Sequence, residues 1–341
     1  MIDKTKNNAG KLPTDVTLRA DLSMSAHNFA DEEFAKSLLY KTASTLAVIS
    51  RDIDLTKLDG LTISHDYDKS LVELDRGYQT NHVLTATKDV AIGVAMTPCV
   101  MRNGKVLSHM VFNAPYIFGI LEEEGQETEA FNTSLHLLVH ESAHVEVTAS
   151  FDDVFPGWLL QHKHSDVVDN LRWQFILASW EEYMVCRICG NIGYDPLDGY
   201  AETFISVLAS TKANCIEAIK SYRIHSNVDE VICSVYGHLC NLLKYASYFL
   251  GALHGIGREM NEFPELQSAL SNSVYNDDFD DLSMALEDLM ERYADWPDMK
   301  KFEDLGDVVE AMAEREGIFA QRLDDDQLYI DIPYKQETMP D

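Results

Sequence analysis

"LHLLVHESAHVEV", residues 135–147, decides how the rest of the chain is read. Leu137, Leu138, Val139, Ala143, Val145 and Val147 surround two histidines and a glutamate, so a helix here is apolar nearly all round. Such a helix belongs in an interior. Within it, His140-Glu141-Ser142-Ala143-His144 spells H-E-x-x-H. A four-residue step is just over one helical turn, so both imidazoles project from one face and can bind one zinc ion. Glu141 stands beside His140, placed to act as general base toward water at that ion. Burying two imidazoles and a carboxylate is costly unless something satisfies them, and a metal does so. A hydrogen-bonded polar cluster in a helical core is the plain alternative.

Upstream, the texture changes from helical to β. Residues 31–50 carry Phe34, Leu38, Leu39, Ala43, Leu46 and Ala47 at helical spacing. A short strand at 61–64 and a helix capped by Gly77 follow. "DVAIGVAMTPCVMRNGKVLSHMVF" then places two β-rich runs around Asn103-Gly104, a hairpin signal over 90–112. Downstream, helices are expected at 127–149, 165–189, 197–222, 228–253, 262–272, 279–294 and 303–316. Gly190 is placed to end the second of these and Pro196 to open the third. The fold class is therefore α+β, a small N-terminal sheet and hairpin packed on a predominantly helical body. Residues 1–125 form its N-terminal α+β region and 126–260 the helical metal-site core. Residues 261–341 form an acidic helical region that makes one unit with that core.

Composition narrows the function. The chain has 341 residues, 46% of them hydrophobic, and a formal net charge of -30. That charge argues against direct binding to a phosphate backbone and against anionic membranes. From Asp277 to Asp331 there are 19 acidic residues against 5 basic ones, so the excess is concentrated near the C-terminus. No apolar run approaches membrane-spanning length and the first residues are polar, without the apolar core of a signal peptide. The six cysteines show no framework spacing and sit mostly in apolar runs, which fits a reducing cytoplasm.

A catalytic zinc takes three protein ligands and leaves one position for water. His136 extends the row to 136, 140 and 144. Eight positions span roughly 12 Å of helix axis, so His136 cannot share an ion with both others, and an orienting or merely buried role is expected. Three and six positions after His144 stand Val147 and Ser150, not the glycine and histidine of the extended motif. The third ligand must come from elsewhere. "ILASWEEYMVCRICG", residues 176–190, carries Glu181 and Glu182 on a helix that otherwise reads as buried. Ala178, Ser179, Val185, Cys186 and Cys189 on the face of Glu182 allow close approach and favour it. Glu181 is then a neighbour that salt-bridges, with Arg187 for instance. His162 and His164 are rival ligands in a polar loop. Cys186 and Cys189 form a C-x-x-C pair in mid-helix with no second pair, which argues against a metal or redox role.

An H-E-x-x-H helix followed one loop later by a helix bearing Glu resembles the gluzincin branch of the zincin metallopeptidases. His144 and Glu182 are 38 positions apart. The hairpin before the metal helix matches the edge strand on which zincins pair an extended substrate. With Trp180, Glu182 and Tyr183 as a Trp-x-Glu-Tyr element, the chain is similar to uncharacterised bacterial and phage-associated zincin-like proteins over about residues 83–190. The resemblance implies a zincin-like fold, Zn2+ held by His140, His144 and Glu182, and a polypeptide substrate. Hydrolysis also needs a donor for the oxyanion, for which Tyr183, His238 and His254 are candidates, Tyr183 and His238 foremost. The competing readings are a non-catalytic acidic protein, such as a nucleic-acid mimic or inhibitor keeping a zincin-like core, and a helical protein with a structural zinc. An intact Glu141 favours the enzyme.

Overall fold

The computed structural model describes residues 16–86, 93–122, 128–323 and 327–340. The chain is α+β, about 60% helical with a small sheet. It divides into two compact units, Met1–Gln161 with Val185–Asp195, and His162–Met184 with Pro196–Asp341.

The first unit is built on a mixed sheet. β1 (Ser23–His27) and β2 (Leu58–Ser64) run parallel, joined by helix α1 (Glu32–Ile49) as crossover. Asp31 opens α1 by accepting from the Glu33 and Phe34 amides. β5 (Lys105–Asn113) lies parallel to β2 on its other side. β3 (Ala95–Met96) and β4 (Cys99–Arg102) both pair antiparallel with β5, and the strand order is β1-β2-β5-β3. The expected hairpin is present from Cys99 to Asn113. Its turn has φ of 52° at Asn103 and 75° at Gly104, the two left-handed positions of a type I′ turn. Val90 lies outside the described residues.

Helix α2 (Tyr67–Glu73) is shorter than the sequence suggests. It stops at Leu74, and Gly77 does not cap it. Gly77 (φ 70°) instead brings the chain against β4, where a Cβ would stand 2.0 Å from the Met101 carbonyl oxygen. Beside it, the Met101 amide donates to the Arg76 carbonyl at 2.8 Å.

Helix α3 (Glu129–Val154) carries the histidine row. Thr128 caps it, accepting from the Phe131 amide at 3.1 Å. It packs on β5 and on a 3-10 segment, Ala114–Leu121. Leu138, Val139, Ala143, Val145 and Val147 are all buried, so this is the interior helix that its composition demands.

The second unit holds helices. α4 (Val167–Cys189) lies in it up to Met184, its last turn belonging to the first unit. α5 (Leu197–His225) and α6 (Val228–Ile256) pack along each other, followed by α7 (Pro264–Ser271), α8 (Asn276–Glu291) and α9 (Lys300–Glu316). Trp180 seals part of this core, edge-on to Trp296 and Phe302 at 5.4 and 5.7 Å between ring centres. β6 (Phe319–Arg322) and β7 (Leu328–Asp331) form an antiparallel pair.

Some of the C-terminal acidity is internal to this unit. Asp278 is 3% exposed and takes a two-pronged contact from Arg315. Arg172 sits among Glu303, Asp307 and Glu310. Among the described residues, no helix is long and apolar enough to cross a membrane.

Candidate metal centre

His136, His140 and His144 stack along α3 with ring centres 6.4 and 5.0 Å apart in succession. Glu141 is 4% exposed. One of its carboxylate oxygens accepts from the Thr97 hydroxyl at 2.7 Å, from the link between β3 and β4. The buried Tyr67 phenol lies close enough that the Glu141 charge, after burial itself, raises its pKa. His140, Glu141 and His144 offer ligand atoms within 4.8 Å of one another. The H-E-x-x-H residues are therefore gathered as helical spacing demands, with the carboxylate held in place by a hydroxyl.

A second group shares His140. His136, His140 and Cys189 also offer ligand atoms within 4.8 Å of one another. The Cys189 sulfur stands 3.7 Å from His140 Nδ1. Its bond at Cys186, ahead of opposing burial and of the His140 bond and charge, holds the Cys189 thiol well below its usual range. Burial would lower the pKa of His140, but the bond and charge of Cys189 outweigh it and raise it.

The fit of a metal can be judged at His136, which is 8% exposed. Its Nδ1 lies 2.9 Å from the Ile192 carbonyl oxygen. A carbonyl only accepts, so Nδ1 carries a proton, and in the neutral imidazole Nε2 is the nitrogen with the lone pair. That nitrogen is buried with no hydrogen-bond partner among the described residues. An unfilled buried acceptor costs about 1–3 kcal/mol, and a metal ion is one way to fill it. The Ile192 contact depends on Gly193 (φ 75°), where a Cβ would meet the Asn132 carbonyl oxygen of α3 at 2.5 Å. Only glycine lets residues 190–195 run this close to the helix.

The other sequence candidates lie in the second unit. Glu182 is 7% exposed and pairs with Lys244, Oε1 to Nζ 3.2 Å. It is in neither of the two groups above, nor is Glu181, whose charge also acts on Lys244. Tyr183 is fully buried, its hydroxyl 2.9 Å from His254 Nδ1, and His254 Nε2 is 3.6 Å from Glu287. His238 stands on α6, its pKa lowered by burial. The His162 and His164 rings face each other at 5.0 Å, with His164 3.5 Å from Asp169.

Sequence spacing does not single out Cys189 as a ligand: it reads as half of a lone C-x-x-C pair and as one of the small residues on the Glu182 face. The available signal was His136, which makes a second i, i+4 pair with His140. No family model, curated protein or solved structure matches the chain.

Proposed function

We propose that this chain is a zinc-dependent hydrolase of polypeptides with a zincin-like arrangement of metal helix and edge strand. The observation that carries the reading is Glu141. Its carboxylate is almost wholly buried, is anchored by Thr97, and keeps company with His140 and His144 within 4.8 Å. A purely structural ion has no use for such a group. The imidazoles of the α3 row would hold the ion, His140 at the centre with a neighbour one turn away. When bound, zinc supplies Lewis acidity that polarises a substrate carbonyl and acidifies water.

Glu141 has the part of proton acceptor and carrier. Thr97 occupies one carboxylate oxygen as donor, which orients the group and leaves the other oxygen to take a proton from water and return it to the departing amine. The Tyr67 hydroxyl, unpartnered among the described residues and under the influence of Glu141, is a candidate donor to the oxyanion.

An extended peptide would pair with the sheet edge near Thr97. The β4 edge is occupied at Met101 by the Arg76 carbonyl, so the β3 stretch Ala95–Met96 is the better place for it. A reducing cytoplasm is the compartment this reading implies, where buried thiols such as Cys186 and Cys189 persist.

The test is Glu141→Gln, assayed by zinc content and by release of peptides from fluorescently labelled casein. Zinc should be retained and hydrolysis should fall at least ~100-fold, the scale of a lost general base. Undiminished hydrolysis would overturn the reading.

A further inference from the structure

The reading above leaves open which side chains complete the ion's coordination, and the structure points to a set that the H-E-x-x-H motif does not contain. We propose that the ion is held by His136, His140 and Cys189, with His144 outside the coordination sphere. The inference rests on the metallohydrolase reading only in taking the ion to be there.

Three observations converge on it. Cys189 Sγ and His140 Nδ1 are 3.7 Å apart. A nitrogen and a sulfur sharing one tetrahedral zinc, at about 2.0 and 2.3 Å from it, stand about 3.5 Å apart. The pair is thus already at the separation that an ion between them requires. His136 supplies the second observation. Its Nδ1–H is spent on the Ile192 carbonyl, the outer partner that metal-bound imidazoles commonly have, and this fixes the tautomer with Nε2 bare. The third is that Nε2 is buried and unpartnered among the described residues while its ring stands next to His140 and Cys189. A buried imidazole with its tautomer fixed by an outer carbonyl and its other nitrogen aimed at neighbouring donors has the arrangement of a metal ligand.

The alternative ligands have other occupations. Glu182 faces Lys244, and His144 groups with His140 and Glu141 rather than with Cys189. A set of two imidazoles and one thiolate selects a borderline-soft ion such as zinc or cobalt over magnesium or calcium. It also leaves the fourth position open for water, as a catalytic site needs. Glu141, adjacent to His140 in sequence, keeps its part under either ligand set.

The experiment uses the full-length protein loaded with Zn2+ or, in parallel, with Co2+. Zinc content is measured by mass spectrometry and the cobalt form by absorbance. The expected result is one ion per chain and a sulfur-to-cobalt charge-transfer band. That band should disappear in Cys189→Ala and survive in Cys186→Ala. His136→Ala should weaken zinc binding by at least ~100-fold, beyond the effect of losing an outer partner. His144→Ala and Glu182→Gln should leave binding within a few-fold of wild type. If Cys189→Ala fails to fold, the wild-type and Cys186→Ala spectra decide, because a bound cobalt without the band overturns the proposal. So does zinc binding lost in His144→Ala or Glu182→Gln and kept in His136→Ala. A wild-type protein that takes up neither ion overturns it as well. The casein assay on Glu141→Gln judges the hydrolase reading separately, since it can succeed with either ligand set.

Discussion

Two regions of this chain bury charge-bearing side chains, and they do it in opposite ways. At the α8–α9 pair, Asp278 is sealed but meets Arg315, Glu316 accepts from the Tyr275 hydroxyl at 2.8 Å, and Arg172 is ringed by three carboxylates. Each of these buried groups has at least one partner of opposite charge or a hydrogen bond within its own unit, and Arg172 Nε, which makes no hydrogen bond among the described residues, still lies 3.7 Å from a Glu310 carboxylate oxygen. Along α3, His136 Nε2 has no hydrogen-bond partner among the described residues, and a thiol and an imidazole face each other in an apolar interior. Buried polarity that is closed on itself is structure. Buried polarity that is left open is a place for something else.

The difference predicts different responses to mutation. Asp278→Ala should cost the most, about 3 kcal/mol in urea unfolding, at the low end for a broken buried pair because Arg315 can reach water. Asp277→Lys, one residue away and exposed, should stay within about 0.5 kcal/mol. If the two behave alike, the acidic region is a solvated charge field after all, and the nucleic-acid mimic regains ground.

The next effect is the gain on adding zinc. At a free concentration of about 100 times Kd, the wild type should gain about 2.7 kcal/mol, read as a rise in unfolding midpoint. Asp278→Ala should gain as much, whereas a His136→Leu protein, its site weakened at least ~100-fold, should gain no more than about 0.4 kcal/mol.

His136→Leu in metal-free protein sharpens the contrast from the other side. Losing the bond to Ile192 and losing an unfilled acceptor offset each other, so stability should change by no more than about 1 kcal/mol. A loss of 3 kcal/mol or more would show that the row is closed in a way like Asp278.

The smallest effect falls on His109, which is intermediate between the two regions. Its Nε2 meets the Thr62 hydroxyl at 3.0 Å and its Nδ1 lies 3.5 Å from Asp59. Burial lowers its pKa despite Asp59. The unfolded chain therefore binds this proton more readily, and the stability His109 contributes is present above about pH 6.5 and lost as pH falls through its lowered folded value. His109→Gln should flatten the dependence of urea midpoint on pH in that window, and an unchanged slope would assign it to other groups.

What was legible in the sequence follows the range of the interactions. α3 through α9 could be read because apolar spacing repeats over several turns, and the Asn103-Gly104 turn because its backbone needs are local. The parallel pairing of β1, β2 and β5 was not, since the pairing of Ser25 with Thr62 and of Thr62 with Val111 is made across intervening helices. β6 and β7 are four residues each, too short to give a period. The same holds at the site. His140, Glu141 and His144 declare themselves within five residues. Cys189 reaches His140 only because the last turn of α4 comes back to α3, and nothing in its local spacing announces that.

That return has a consequence in time. The first unit is discontinuous: the chain leaves it after Gln161 and contributes to it again only from Val185 to Asp195. During synthesis at about 5–20 residues per second, Cys189, 49 positions after His140, is made ~2–10 s later. Over that interval α3 exists without the thiol and without the Ile192 carbonyl that orients His136. A nascent chain cannot assemble the His136–His140–Cys189 cluster early, and a fragment ending at Gln161 can never do so.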